Sequence, residues 1–116
     1  MKMQGFTFAD AAMERSPDQE DEIDIGDVVN DGDGAPISIG YGRWGPGSTL
    51  TETMLVDDVM VVVEGGLEVT SDGTAVSAGP GAIVHMPKGA EVTIRAGAEG
   101  AKTAYVTYPN WRTARG

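Results

Sequence analysis

The stretch GPGAIVHMPKGAEV, residues 79–92, decides the fold of this chain. Its central run AIVHM has the apolar, β-branched composition of a strand, and glycine and proline bound it on both sides. Because side chains of a strand alternate between the two faces of a sheet, Ile83 and His85 share one face, whereas Val84 and Met86 share the other. The sequence leaves open which face points inward, and therefore whether His85, the one histidine of the chain, faces a cavity.

Short runs of the same kind, separated by turns, fill most of the chain, which has 17 glycines and 6 prolines. The alternating run 36–41 predicts a half-buried strand, and the continuous apolar run 59–63, VMVVV, predicts a strand that is covered on both faces. Ser71-Asp72-Gly73 lies between two strand-like runs and predicts a hairpin turn. Only the run 8–16 favours a short helix. Many short strands with regular turns predict an all-β barrel or sandwich.

Length and composition limit the possible partners. The 116 residues suffice for one domain with its own core, and a net charge of −10 repels phosphate backbones and anionic lipids. We therefore expect neither nucleic acid nor a membrane as a partner. No apolar run approaches the roughly 20 residues of a membrane-spanning helix. The chain has no cysteine, and we expect a cytoplasmic protein.

The spacing of the glycines and prolines resembles the two sequence motifs of the cupin family. Laid on this chain, the first motif falls on Gly45, Thr51, Thr53, Asp58 and Gly65, and the second on Gly81, Pro87, Gly89, Val92 and Ala96. The glycine and proline positions match at each place. The resemblance implies an all-β, single-domain cupin, which is a jelly-roll barrel (double-stranded β-helix). We expect this barrel over residues 36–112, with residues 1–35 as an N-terminal extension that packs on the barrel or on a partner subunit.

The same resemblance implies where a metal would bind. In metal-dependent cupins three histidines and one glutamate hold a divalent ion inside the barrel, and the corresponding positions here are Thr51, Thr53, Val92 and Asp58. A threonine hydroxyl is a poor substitute for imidazole, and valine has no lone pair. We therefore expect no metal and no cofactor, and a metal-dependent cupin oxygenase is the least favoured alternative.

Within the cupins, the chain is most similar to the EutQ-like proteins of ethanolamine utilisation. The likeness rests on Gly42-Arg43-Trp44, on Pro87-Lys88-Gly89 and on the closing run YVTYPNW, residues 105–111. The resemblance implies a cupin domain without the histidine cluster, in a family to whose full-length members an acetate kinase activity has been ascribed. The sequence has no glycine-rich phosphate loop of the G-x-x-x-x-G-K-[ST] type, so this activity does not transfer directly.

Two residues are candidates for acid–base catalysis. The motif places Asp58 on the inner wall beside Met60 and Val62, where loss of water would raise its pKa. Asp57 points the other way on a regular strand, so we expect it at the surface. If His85 also faces inward, it can pair with Asp58, which would fix its tautomer and assist proton transfer. The alternative is that both residues have only a structural role.

Hydroxyl groups complete the predicted site. Thr51 and Thr53 occupy the vacated ligand positions, and Tyr41 and Tyr105 lie on strands that we expect to face each other. We therefore predict that the barrel binds a small polar organic molecule, an amine, aldehyde or carboxylate. The resemblance to cupins, which commonly dimerise through a sheet, and the run VMVVV, which needs cover on both faces, predict a homodimer. Metal-independent acid–base catalysis is compatible with this site, but the sequence does not decide whether the protein is an enzyme. The alternative is a non-catalytic accessory or scaffold domain of a metabolic assembly.

Overall fold

The computed structural model describes residues 2–115, and its regular structure is almost entirely antiparallel strand. Within this range, the chain forms β1 (Glu14–Arg15), β2 (Ile23–Val29), β3 (Ser38–Trp44), β4 (Thr49–Thr53), β5 (Asp57–Ser71), β6 (Thr74–Ala78), β7 (Ile83–Met86) and β8 (Glu91–Tyr108). Single 3-10 turns cover Phe8–Asp10 and Asp31–Asp33, and the short helix α1 covers Trp111–Arg115. The prediction of an all-β chain is confirmed.

The long strands β5 and β8 form the centre of the sheet. The strand order is β1-β2-β3-β8-β5-β6, with β4 paired to β8 and β7 paired to β5. Residues 57–65 of β5 pair with 101–108 of β8, and residues 67–70 pair with 93–96. The register shifts between Val62 and Glu64 and again between Gly65 and Leu67. The first stretch is flanked by β3 and β7, and the second by β4 and β6. One sheet therefore curls into a barrel.

Two glycines allow the long strands to bend where the register shifts. Gly65 of β5 has φ +71°, and Gly100 of β8 has φ +74°. A Cβ atom on Gly65 would overlap the carbonyl oxygen of Gly100, so the two backbones approach more closely than any side chain permits. The glycine that ends the first cupin-like motif is thus explained by the contact between β5 and β8.

Alternation along β5 separates the core from the outer face. Met60 and Val62 are buried inside the barrel, whereas Val59 and Val61 are half-buried and Val63 is 47% exposed on the outside. The expectation that this run is covered on both faces is wrong for the single chain, because its outward side chains keep part of their surface exposed to solvent. The hairpin prediction is confirmed: Asp72 and Gly73 both have positive φ and connect β5 to β6.

Two strands that lie before residue 36, β1 and β2, are part of the sheet. Strand β2 pairs antiparallel with β3, and β1 pairs with β2. The short helix favoured by the sequence is reduced to the turn Phe8–Asp10, and the Phe8 ring packs edge-on against Tyr41 with their centroids 5.5 Å apart. Neither this turn nor α1 has the length or the apolar composition needed to cross a membrane.

Candidate functional site

A cavity of about 310 Å³ opens inside the barrel. Its walls are formed by residues of β2, β3, β4, β5, β7 and β8, among them Met60, Met86 and Ile94. Ser16 and Pro17 of the N-terminal segment and Trp111 and Arg115 of α1 also line it. The volume is at the lower end of the roughly 300–1,000 Å³ that is typical of small-molecule sites. The cavity therefore has room for a small ligand.

Asp58 lies on the inner wall, with Met86 and Thr107 as its register partners on the two neighbouring strands. Its Oδ1 atom is buried, and no group in the described part of the chain hydrogen-bonds to it. Burial raises the pKa of Asp58 to about 7, with a smaller contribution from the negative charge of Glu52. A carboxyl that titrates near neutral pH can both accept and donate a proton under physiological conditions.

Glu52 is the second carboxyl that lines the cavity. The residue is exposed overall, yet burial of its carboxyl raises its pKa, and the charge of Arg115 opposes this shift. The guanidinium of Arg115 in turn binds Asp18 at 2.8 Å. Since Arg115 is held by a carboxylate outside the cavity lining, the acidic groups dominate the charge around the cavity.

Strand β4 presents the opposite face from the one that the motif predicts. Leu50 pairs with Ile94, and both are buried, so that Glu52, two residues further on, lies on the same inner side. Thr51 is exposed, and its hydroxyl is 3.1 Å from that of Thr93 on the outer side. A shift of one residue exchanges the two faces of a strand. Glu52 therefore has the inward orientation that the motif predicts for Thr51.

Three of the predicted site residues lie away from the cavity lining. Thr51 is on the outer face, and the Tyr41 hydroxyl donates to the backbone oxygen of Phe6. His85 is exposed, and its Nε2 is 3.5 Å from Oδ1 of Asp57. The sequence left the direction of His85 open, and the structure turns it outward, because β7 directs Val84 and Met86 into the barrel. The pairing with Asp58, which required an inward His85, is therefore not formed. Asp57 is at the surface, as expected.

Thr53 and Tyr105 do line the cavity with Asp58. The Tyr105 hydroxyl donates to Oδ1 of Asp27, and burial is the largest cause that raises the pKa of this tyrosine. Its proton is therefore committed to Asp27. Thr53 is exposed and borders the cavity from the end of β4. Of the six predicted site residues, the structure thus brings Asp58, Thr53 and Tyr105 together.

The network around Asp27 is missing from the sequence prediction. The side chain of Asp27 is 2% exposed and accepts hydrogen bonds from Tyr105, from Trp111 Nε1 at 2.9 Å and from Arg112 Nε at 2.8 Å. These contacts join α1 to the barrel wall. Asp27 belongs to an acidic stretch that resembles a solvated segment. Only its spacing of two residues from Ile25 and four from Ile23, which places all three on one face of a strand, could have indicated an inward position.

The donor set does not fit the metal of other cupins. In residues 2–115 no group of three or more histidine, aspartate or glutamate side chains is placed to hold a metal ion. Among the positions that the family motif assigns to ligands, Val92 is buried and apolar, Thr51 is outside, and Asp58 alone offers a strong donor to the interior. Divalent transition metals prefer three or four nitrogen, sulfur or oxygen ligands.

Comparison with known proteins gives the family. A profile of the family described as "Ethanolamine utilisation protein EutQ" matches residues 10–113 of this chain. Acetate kinase EutQ of Escherichia coli strain K12 is 27% identical over 92 residues, which cover 78% of this chain and 39% of that protein. The chain therefore spans well under half the length of this curated relative.

Solved structures with significant sequence identity show the same fold. A protein of unknown function from Rhizobium leguminosarum bv. viciae is 61% identical, with a TM-score of 0.80, over 95% of this chain and all of that one. The EutQ protein of Clostridium difficile is 26% identical, with a TM-score of 0.71, over 81% of this chain and 68% of that one.

A more distant neighbour carries the name of the fold. The cupin domain of Schizosaccharomyces pombe Cnp3 is 12% identical, with a TM-score of 0.74, over 96% of this chain and 77% of that one. At this identity the likeness concerns the fold alone. With a family match from residue 10 to residue 113, the chain belongs to the EutQ family, and its barrel has the cupin fold.

Proposed function

We propose that the barrel binds a small polar organic molecule, with Asp58 as the group that exchanges a proton or a hydrogen bond with it. The observation that carries the proposal is the carboxyl of Asp58, which lines the cavity while its buried Oδ1 receives no hydrogen bond from the described residues. Buried polar groups in proteins are generally paired, and leaving one unpaired costs about 1–3 kcal/mol. A bound donor would recover this cost.

The chemistry that this site supports is metal-independent acid–base catalysis. A pKa of about 7 makes Asp58 a competent base and a competent acid near neutral pH. Thr53 borders the cavity and can orient a ligand through its hydroxyl, whereas the Tyr105 hydroxyl is already bound to Asp27. Elimination, isomerisation and decarboxylation each need one proton to be moved, so any of them is compatible with Asp58.

A thermal-shift screen with small amines, aldehydes and carboxylic acids tests the binding proposal. A ligand that raises the melting temperature of the wild type should lose this effect in Asp58→Asn. Asp57→Asn is the matched control, because the neighbouring carboxyl points to the outside of the same strand and is 52% exposed. Retention of every ligand response in Asp58→Asn would contradict the proposal.

A second candidate function is that of a non-catalytic accessory domain. It is favoured by the observation that the chain corresponds to only 39% of the Escherichia coli relative, whose name describes an acetate kinase. The kinase activity belongs to that whole protein, and this sequence has no G-x-x-x-x-G-K-[ST] phosphate loop. If no compound in the thermal-shift screen gives a shift of the melting temperature that depends on Asp58, the accessory function is favoured.

We also propose that two copies of the chain associate through the outer face of the barrel, which we define as the outward side chains of β5, β7 and the second half of β8. Ile83 is 66% exposed there, Tyr108 61%, Val63 47% and Val106 39%. Contiguous exposed apolar side chains mark interaction surfaces. Since the chain carries a net charge of −10, two copies meet most favourably where charged groups are few.

A further inference from the structure

The charged groups that line the cavity are mainly acidic. Of its charged lining residues, Asp58 and Glu52 are acidic, and the one basic residue, Arg115, is bound to Asp18 at 2.8 Å. Two hydroxyls of the lining are already engaged as donors, because Tyr105 donates to Asp27 and Thr107 donates to the backbone oxygen of Pro109 at 2.9 Å. A ligand that meets the ionised carboxyls of Asp58 and Glu52 must therefore supply the hydrogen-bond donor itself, since an ionised carboxyl only accepts.

Most of the remaining lining residues are apolar. Met54, Met60, Met86, Leu50 and Ile94 are all buried and surround the space in front of the two carboxyls. Methionine side chains adapt to ligands of varied shape, and their burial favours a hydrocarbon body. A carboxylate ligand would instead bring a third negative charge into this poorly solvated space, where like charges repel strongly.

We infer that the ligand of this cavity is a small monoamine, an ammonium group on a short apolar body, whose charge pairs with Asp58. This inference rests on the proposed function, of which it names the ligand class. Glu52 is the second carboxyl near the ammonium, at the more exposed side of the cavity. Charge-assisted hydrogen bonds in a partly buried site are about twice as strong as neutral ones, so charge determines the selectivity.

The protonation of Asp58 couples amine binding to pH. The titratable groups that face it are Glu52, Tyr105 and Arg115. Its pKa is raised to about 7 by burial and by Glu52, so the carboxyl is largely neutral in mildly acidic solution and must lose its proton to pair with an ammonium group. Between about pH 6 and about pH 8, the affinity for an amine should therefore rise roughly tenfold, with proton release at the lower pH.

Three ligands of matched length separate charge from shape: hexylammonium, hexan-1-ol and hexanoate, measured by isothermal titration calorimetry at about pH 8. We expect hexylammonium to bind roughly ten- to a hundredfold more tightly than hexan-1-ol, and hexanoate to bind most weakly. Asp58→Asn should remove the preference for the amine over the alcohol, since it keeps the shape and removes the charge. Asp57→Asn should retain the preference.

The outcomes distinguish the ligand class from the binding function. Tightest binding of hexanoate, or an amine preference that survives in Asp58→Asn, would overturn the monoamine inference. If hexan-1-ol or hexanoate binds in an Asp58-dependent manner without any preference for the amine, the proposed binding function stands and the monoamine inference falls. If none of the three ligands binds and the wider panel gives no response that depends on Asp58, both fall.

Discussion

Because its pKa is raised to about 7 in the folded protein, Asp58 destabilises the fold at neutral and higher pH. In the unfolded chain the carboxyl releases its proton near its ordinary value of 3.8, whereas the folded protein retains it up to about pH 7. The stability that this protonation contributes is therefore present in full below the pKa of the unfolded chain, and it is lost as the pH rises through about 7. The ionised form has to be buried, and this cost is greatest above pH 7.

Asp58→Asn should accordingly raise the free energy of unfolding at about pH 8, by about 2 kcal/mol and at most roughly 4 kcal/mol. The gain should shrink as the pH falls from about 7 towards about 4 and vanish below about pH 3, since the wild-type carboxyl is then neutral in both states. Urea unfolding at a series of pH values measures this dependence. Asp57→Asn serves as the exposed control, and a gain for Asp58→Asn that is independent of pH would contradict the prediction.

At the scale of elements, the glycine at the bend of β5 has a role that its conformation alone does not explain. Gly65 and Gly47 have almost the same φ, +71° and +69°. A Cβ atom on Gly47 would meet no heavy atom within 4 Å, whereas one on Gly65 would overlap the backbone of β8. The two positions therefore separate the cost of a left-handed backbone from the cost of forcing two strands apart.

Gly47→Ala should lower the free energy of unfolding by about 1–2 kcal/mol, which is the cost of placing a side chain in the left-handed region. Gly65→Ala should cost more, roughly 3 kcal/mol or above, because β5 and β8 must separate at the centre of the sheet. Chemical denaturation of both variants under one set of conditions makes the comparison. Equal losses would show that the close approach at Gly65 relaxes freely.

The strands could be predicted because their signals, the β-branched runs and the Asp72-Gly73 turn, act over a few residues. The barrel followed from the resemblance of the glycine and proline spacing to the cupin motifs, since the local signals alone leave a sandwich possible. The inward face of β4 could not be predicted in this way, since TLTET has one strongly apolar residue, Leu50, and the family motif favoured the opposite face. Asp27 could not be identified either, because its donors Trp111 and Arg112 come from the far end of the chain.

At the scale of the whole molecule, the outer face is the surface that a single chain leaves unprotected. Ile83 pairs with Val61, while Val59 pairs with Val106 and with His85, so an apolar band crosses three strands. Self-association through one shared patch gives a two-fold dimer, which is the commonest form of soluble oligomer. Charged groups occur at the margin of this band, where His85 approaches Asp57.

Ile83→Asp should therefore separate the dimer into monomers. The substitution places a carboxylate within the apolar contact in both copies, and burying an unpaired charge costs several kcal/mol, enough to weaken association by roughly a hundredfold or more. Sedimentation velocity of the wild type should give twice the monomer mass, and that of Ile83→Asp the monomer mass. Val76→Asp is the control, because Val76 is 44% exposed on β6, outside this face, and its substitution should leave the dimer intact. A monomeric wild type would contradict the proposed dimer. A dimer that Val76→Asp disrupts and Ile83→Asp does not would show that the two copies meet outside the exposed apolar band.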